Sequence, residues 1–279
     1  MRLIDLHHIG RPRVIGTYLV DEVLVDPGPS SCLPTLLDAL GDERPRALLL
    51  THVHLDHAGA SGSLVRHWPE LEVYVHERGA RHMVDPSRLI ESATRLYGED
   101  MDRLWGEFVA VPQERLRILS GGERILDGHF TVAYTPGHAS HHVSYLRGST
   151  AFVGDVGGVR ILPSGPAIPP TPPPDIDLEA WEGSLEQVAA WRPERLAMTH
   201  FGISEAVDSQ LEEIRERLRR WAELARTHGQ EGFIAAIRAE IAAGASPEIA
   251  AAYAQAAPAD QLYAGLSRYW AKRAGAGVS

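Results

Sequence analysis

Nine residues, Thr51-His52-Val53-His54-Leu55-Asp56-His57-Ala58-Gly59, constrain this chain more than any other stretch. Three imidazoles and one carboxylate fall within six positions, directly after the apolar run Ala47-Leu48-Leu49-Leu50. A short apolar run bounded by polar residues predicts a buried strand. The end of that strand delivers four side chains able to hold a metal into a loop, and Gly59 lets the backbone turn toward a following helix. Imidazole with carboxylate suits zinc first, and iron or manganese less strongly. The bland alternative is a histidine-rich surface loop; a spaced cluster behind an apolar strand argues against it.

The pattern recurs downstream. Strands are predicted over residues 116–119, 130–134, 142–146, 151–153 and 195–198, separated by Gly-rich turns. Three of them run into chemistry-bearing loops: Thr135-Pro136-Gly137-His138, Gly154-Asp155-Val156 and Thr199-His200-Phe201. Strand-ends collected on one sheet edge bring residues distant in sequence together. The resulting set is His52, His54, Asp56, His57, His138, Asp155 and His200. Seven donors exceed one tetrahedral zinc and suit two ions sharing a carboxylate and a water. Asp26, in Asp26-Pro27-Gly28, is either a turn former or a carboxylate that orients a metal-ligating histidine.

Around this site the chain divides into residues 1–207, the metal-binding domain, and residues 208–279, a helical extension. Residues 1–26 read as a β-meander, and helices are predicted at 33–40, 60–68 and 178–191. Residues 85–111 form a helical insertion, in which Tyr97, Trp105 or Phe108 either lines a substrate cleft or packs an outer hairpin. Residues 163–174 are proline-rich, so they make an extended loop that is a tether or a rim over the site. Beyond residue 208, Leu211, Ile214, Leu218, Trp221 and Ala225 recur at helical spacing, with Asp208 placed to cap the start and Gly229 to end it. His142 is a candidate support for the site; His7, His8, His67, His76, His82, His129, His141 and His228 read as surface or ordinary core residues.

Composition removes several functions. A net charge of −10 argues against nucleic-acid or anionic-membrane binding, though not against a locally basic pocket. Lys272 is the only lysine, which leaves Schiff-base chemistry without support, and the one cysteine, Cys32, precludes an internal disulfide. With no secretory leader and no membrane-length apolar stretch, a cytoplasmic location is the expectation. There is no Gly-x-Ser-x-Gly elbow and no Gly-Lys-Ser/Thr phosphate loop.

The motif His52-x-His54-x-Asp56-His57, followed by His138, Asp155 and His200, resembles the metallo-β-lactamase superfamily in spacing and order, over roughly residues 1–205. The resemblance implies an α/β, four-layer αββα sandwich with a C-terminal helical extension. It assigns His52, His54 and His138 to one ion, Asp56, His57 and His200 to the other, and Asp155 to both. It implies two divalent ions, zinc before iron or manganese, and a bridging hydroxide attacking an ester-like bond in a small-molecule thioester, lactone or related acyl compound. Asp56 and Asp155 are the catalytic candidates. Departures narrow the branch. His57 stands where cysteine-using lactamases carry Arg, His54 where flavodiiron proteins carry Glu, and no tyrosine directly follows Asp155 as in acyl-homoserine lactonases. The appended helices resemble the layout of glyoxalase II, without its glutathione-binding motif. An iron-dependent oxygenase of the persulfide dioxygenase type and a non-enzymatic metal-binding module are the competing readings. Oligomeric state stays open, a homodimer included.

Overall fold

A computed structural model describes residues 1–161 and 165–276. Strands β1 (Arg2–Asp5), β2 (Gly16–Val20) and β3 (Val23–Val25) form an antiparallel meander. Strands β4 (Ala47–Leu49), β5 (Glu72–His76) and β6 (Leu116–Leu119) extend it in parallel, giving a six-stranded sheet in sequence order. The second six-stranded sheet comprises β7 (Arg124–Ile125), β8 (Phe130–Tyr134), β9 (Val143–Arg147), β10 (Thr150–Phe152), β11 (Arg195–Met198) and β12 (Gly202–Ser204). All its pairings are antiparallel except β10 with β11.

Apolar residues on both faces of these strands decide the layering. Val23, Val25, Ala47, Leu49 and Tyr74 share one hydrophobic cluster with Phe130, Val132, Phe152 and Ala197 of the facing sheet. Their neighbours Leu24, Leu48, Val73, Val75, Ala151 and Leu196 belong to a second cluster that includes helical residues. Alternate side chains leave opposite faces of a strand, so a run apolar at every position must be covered on both sides. Helices α1 (Leu33–Leu40), α2 (Leu55–Ala58) and α3 (Ser61–His67) supply part of that cover. The αββα sandwich implied by the motif is the architecture found.

Helix α4 (Glu77–Val84) follows β5 and is not signalled by the periodicity of its own residues. The insertion folds as α5 (Ser87–Tyr97) and α6 (Met101–Trp105), but helix stops there: Gly106 has φ 70° and residues 107–112 are irregular. Pro163, where the proline-rich stretch begins, lies outside the described residues. Helix α7 (Leu178–Ala190) covers the second sheet through Trp181, Leu185 and Val188.

The C-terminal part forms α8 (Val207–Gly244), α9 (Pro247–Ala256) and α10 (Ala259–Ala276). Asp208 lies inside the first turn of α8; the cap position is Ala206, which offers no side-chain bond, so the expected Asp208 cap is not made. Gly229 has φ 63° and breaks the helix, which then resumes to Gly244. These helices pack into the outer cluster: Trp221, Phe233, Tyr253 and Leu262 are buried with Val159, Ile161 and Ile168. The Tyr253 hydroxyl accepts from Ile161 N at 3.0 Å and donates to Pro166 O at 2.6 Å, tying α9 to the strand-free segment. Among the described residues no helix is long and apolar enough to cross a membrane.

Candidate metal centre

Strand direction brings the donors to one edge. Strands β10 and β11 run parallel, and β8 shares their direction because it is two antiparallel steps from β10. Their C-terminal ends therefore open on the same side, carrying His138, Asp155 and His200. The facing sheet contributes the loop after β4 and the start of α2. Gly154 permits the close approach of the Asp155 turn: at φ 44°, a Cβ there would meet Thr51 Oγ1 at 2.5 Å and His142 Nε2 at 2.8 Å.

All seven expected donors meet. Around His54 Nδ1, His52 Nε2 and His138 Nε2 each lie at 3.0 Å. On the other side, His200 Nε2 is 3.3 Å from Asp56 Oδ2, and His57 Nε2 is 3.8 Å from the same oxygen. Asp155 stands between the groups. Its Oδ2 is 3.3 Å from His138 Nε2, while its Oδ1 is 3.2 Å from His57 Nε2 and 3.6 Å from His200 Nε2. Three groups of donor atoms, His52/His54/His138, His52/His57/Asp155 and Asp56/His57/His200, each lie within 4.8 Å of one another.

The outward-facing ring nitrogens are held. His138 Nδ1 lies 2.9 Å from Pro170 O, and His200 Nδ1 lies 2.6 Å from Val14 O. A carbonyl only accepts, so both rings carry the Nδ1 proton and turn the Nε2 lone pair inward. His57 Nδ1 donates to Asp26 Oδ2 at 2.8 Å. This answers the question about Asp26. Fully buried, it also accepts from Thr51 N at 2.8 Å, Thr51 Oγ1 at 2.7 Å and Thr199 Oγ1 at 2.9 Å, and so orients His57.

Charge within the centre is uneven. Burial, then neighbouring His57 and His54, push the His52 imidazole well below its ordinary value; burial and His138 bring His54 down to about 4. Burial also lowers His57 and His200, but the carboxylates around them outweigh it and raise both. Burial raises Asp155 and Asp56, yet the adjacent imidazoles pull both carboxyls below the usual range. One flank thus rejects protons and the other attracts positive charge.

His57 Nε2, His200 Nε2 and Asp155 Oδ1 are buried with no hydrogen-bond partner among the described residues, although they approach one another. Buried polar atoms rarely go unpaired. Lone pairs converging on one space fit a cation, so the donor set suits divalent ions.

Residues 11–200 match a family described as the metallo-beta-lactamase superfamily. The chain belongs to that superfamily. Its relatives support a metallo-hydrolase. The metallo-beta-lactamase fold-containing protein ST1585 of Sulfurisphaera tokodaii is 29% identical over 188 residues, 65% of this chain and 69% of that protein. The crystal structure of ST1585, from Sulfolobus tokodaii, aligns with TM-score 0.64 at 25% identity, over 79% of this chain and 85% of that one. Hydroxyacylglutathione hydrolase of Salmonella paratyphi A is 30% identical over 139 residues, 48% of this chain but only 41% of that enzyme. The structure of TTHA1623 in a di-iron-bound form aligns with TM-score 0.55 at 29% identity, covering 72% of this chain and 93% of that one.

A cavity of about 920 Å³ opens over this superfamily centre and includes His54, Asp56, Asp155 and His200 in its wall. Tyr97 and Trp105 line it, whereas Phe108 packs against the outer core. Pro170, Pro172, Pro173 and Pro174 also line it, so this part of the proline-rich segment is a rim. His8, His82 and His141, read from sequence as surface or core, are cavity residues instead. His8 is stacked on Trp105 at 5.3 Å, and His141 on His52 at 6.2 Å. A usable signal existed for His141, three positions after His138 beside His142. None existed for His8, whose partners Leu104 and Gln255 are far off in the chain.

Proposed function

We propose that the chain is a dinuclear metal-dependent hydrolase that acts on an ester-like bond of a thioester, lactone or related small acyl compound. One observation carries the reading: Asp155 points Oδ2 at the His52/His54/His138 side and Oδ1 at the His57/His200 side. On this reading His52, His54 and His138 would hold one ion, Asp56, His57 and His200 the other, and Asp155 would serve both. When bound, two divalent ions supply a water-derived nucleophile near neutral pH and polarise the substrate oxygen. Pro170 O, Val14 O and Asp26 keep the protons of His138, His200 and His57 on the outward nitrogens, so the donor set needs no rearrangement. Asp56 is less buried than Asp155 and lines the cavity, where its carboxylate would accept the nucleophile's proton.

The hydroxyacylglutathione hydrolase relatives support acyl chemistry, and the di-iron form of TTHA1623 keeps iron beside zinc as a candidate metal. The test is a panel of thioesters, lactones, phosphodiesters and β-lactams offered to metal-loaded protein. Turnover of an acyl substrate supports the reading; turnover of none of them, with two metals bound, overturns it. One tightly held iron per chain with oxygen uptake would instead favour the persulfide dioxygenase type.

A further inference from the structure

The cavity wall is charged against the sign of the molecule. The chain carries a net charge of −10, yet five arginines line the cavity: Arg78, Arg81, Arg88, Arg95 and Arg268. Outside the metal donor set only two carboxylates, Glu77 and Asp175, face them, so the wall is net +3 (five minus two).

The arginines are not spent on structural ion pairs. Arg95 pairs with Glu91, but Arg78, Arg81, Arg88 and Arg268 form no ion pair among the described residues, in a molecule whose other arginines are mostly so paired. Arg78 and Arg81 lie three apart on α4 and share a face, with Arg88 in the first turn of α5. Arg268 stands on α10, where it and Lys272 donate to Pro174 O at 3.2 and 2.8 Å and hold the rim. The same cavity wall also carries the apolar residues Val14, Ile15, Leu89, Leu104, Trp105 and Leu262. Arg78 lies over the Tyr134 ring at 5.5 Å and Arg81 Nε donates to His82 Nε2 at 3.3 Å, so these groups are held in place without a carboxylate partner. Guanidinium groups with no carboxylate partner are strong, geometrically adaptable partners for phosphate and carboxylate.

We infer that the substrate is an amphipathic acyl ester or thioester: its apolar acyl part lies in the throat, and a phosphate- or carboxylate-bearing head is held by Arg78, Arg81, Arg88 and Arg268. This rests on the hydrolase reading and adds the class of molecule. The collar is built largely from α4 and α5, which the sequence pattern does not tie to the metal motif. The overall negative surface repels anions elsewhere, so the collar also guides the head to the mouth.

The test compares one acyl group carried on coenzyme A (phosphates), on glutathione (carboxylates) and on N-acetylcysteamine (neutral), alongside calorimetric binding of the three free thiols. An anionic carrier should exceed the neutral one in kcat/KM, with the advantage falling as salt rises from 0.02 to 0.5 M, roughly the range over which screening removes exposed ion pairs. Arg81→Gln with Arg88→Gln should cut the anionic-to-neutral ratio about tenfold, the worth of two exposed ion pairs. The same pair should weaken binding of the free anionic thiol, while Arg124→Gln, remote from the cavity, should change neither. Preference for coenzyme A assigns the head to phosphate, and preference for glutathione to carboxylate. Equal turnover of all three carriers with no salt dependence overturns the inference and leaves the hydrolase standing. Turnover of none, with binding of the free anionic thiols unchanged in the double variant, overturns the inference, whereas anionic binding lost in that variant supports the collar; the hydrolase reading is judged separately on the wider substrate panel.

Discussion

Replacing Asp26 by Asn changes one atom and tests how the centre is organised. Among the described residues, Oδ1 of Asp26 accepts only from Thr51 N, whereas Oδ2 accepts three bonds, from Thr51 Oγ1, His57 Nδ1 and Thr199 Oγ1. An amide keeps one oxygen, and the chain nitrogen of Thr51 needs it. The amide nitrogen then faces three donors. At about 1.5 kcal/mol for each bond to a charged acceptor, the metal-free protein should lose about 4–5 kcal/mol of stability. The more specific effect falls on His57. Facing an amide N–H, its Nδ1 must accept, so the proton moves to Nε2 and the inward lone pair disappears. Loss of such an orienting partner lowers metal affinity about 10–100-fold. The assay is metal content by mass spectrometry of folded Asp26→Asn protein after dialysis at low temperature, with thermal unfolding in parallel. The account predicts about one metal per chain, the His52/His54/His138 side keeping its own. Thr199→Val is the control: it removes one bond to the same oxygen, costs about 1 kcal/mol, and should retain both metals. Two tightly held metals in folded Asp26→Asn would refute the argument that the buried carboxylate sets the His57 tautomer.

Other expectations follow from the same geometry. Asp155→Ala or His138→Ala should abolish hydrolysis with little change in far-ultraviolet circular dichroism; full residual activity would end the assignment. Cys32, whose thiol is pushed up to about 11 by burial, should resist alkylation at pH 8 in the folded protein and react on unfolding. Glu240 is pulled below its ordinary value of 4.5 because bonds from Arg220, Trp221 and Arg217 outweigh burial. Its contribution is present above that value and lost as pH falls through the folded one, so Glu240→Gln should unfold at lower temperature near pH 7 and converge with the unaltered protein in acid. Trp221→Ala should cost about 3–5 kcal/mol, because Trp221 is fully buried in the cluster shared by sheet and C-terminal helices.

The candidate metal donors were legible because imidazole and carboxylate are scarce at strand-ends, and each lay in a segment that follows an apolar run. Most strands were legible for the same reason: runs such as Leu48 to Leu50 and Leu196 to Met198 are buried on both faces, whereas the short β7 and β12 were not predicted because their two and three residues make no such run. What lay across the site was not. His8 reaches the cavity only because Leu104 and Gln255 hold it, and no local pattern encodes contacts spanning 96 and 247 residues. Helix α4 follows its strand without an apolar stripe, since Gly79 and Met83 are its only buried residues. Asp208 looked like a cap, but the chain enters α8 two positions earlier, through Ala206. Asp26 was ambiguous because a turn former and a buried acceptor have the same sequence signature, and only Thr51, His57 and Thr199 arriving around it separate the two.

The central claim is that the seven converging donors hold a pair of metal ions. Metal content per chain, measured by plasma mass spectrometry on protein purified without chelator and on His138→Ala and His200→Ala, tests it most directly. The account predicts about two ions in the unaltered protein and close to one in each variant. A single ion in the unaltered protein that both substitutions leave in place would contradict it.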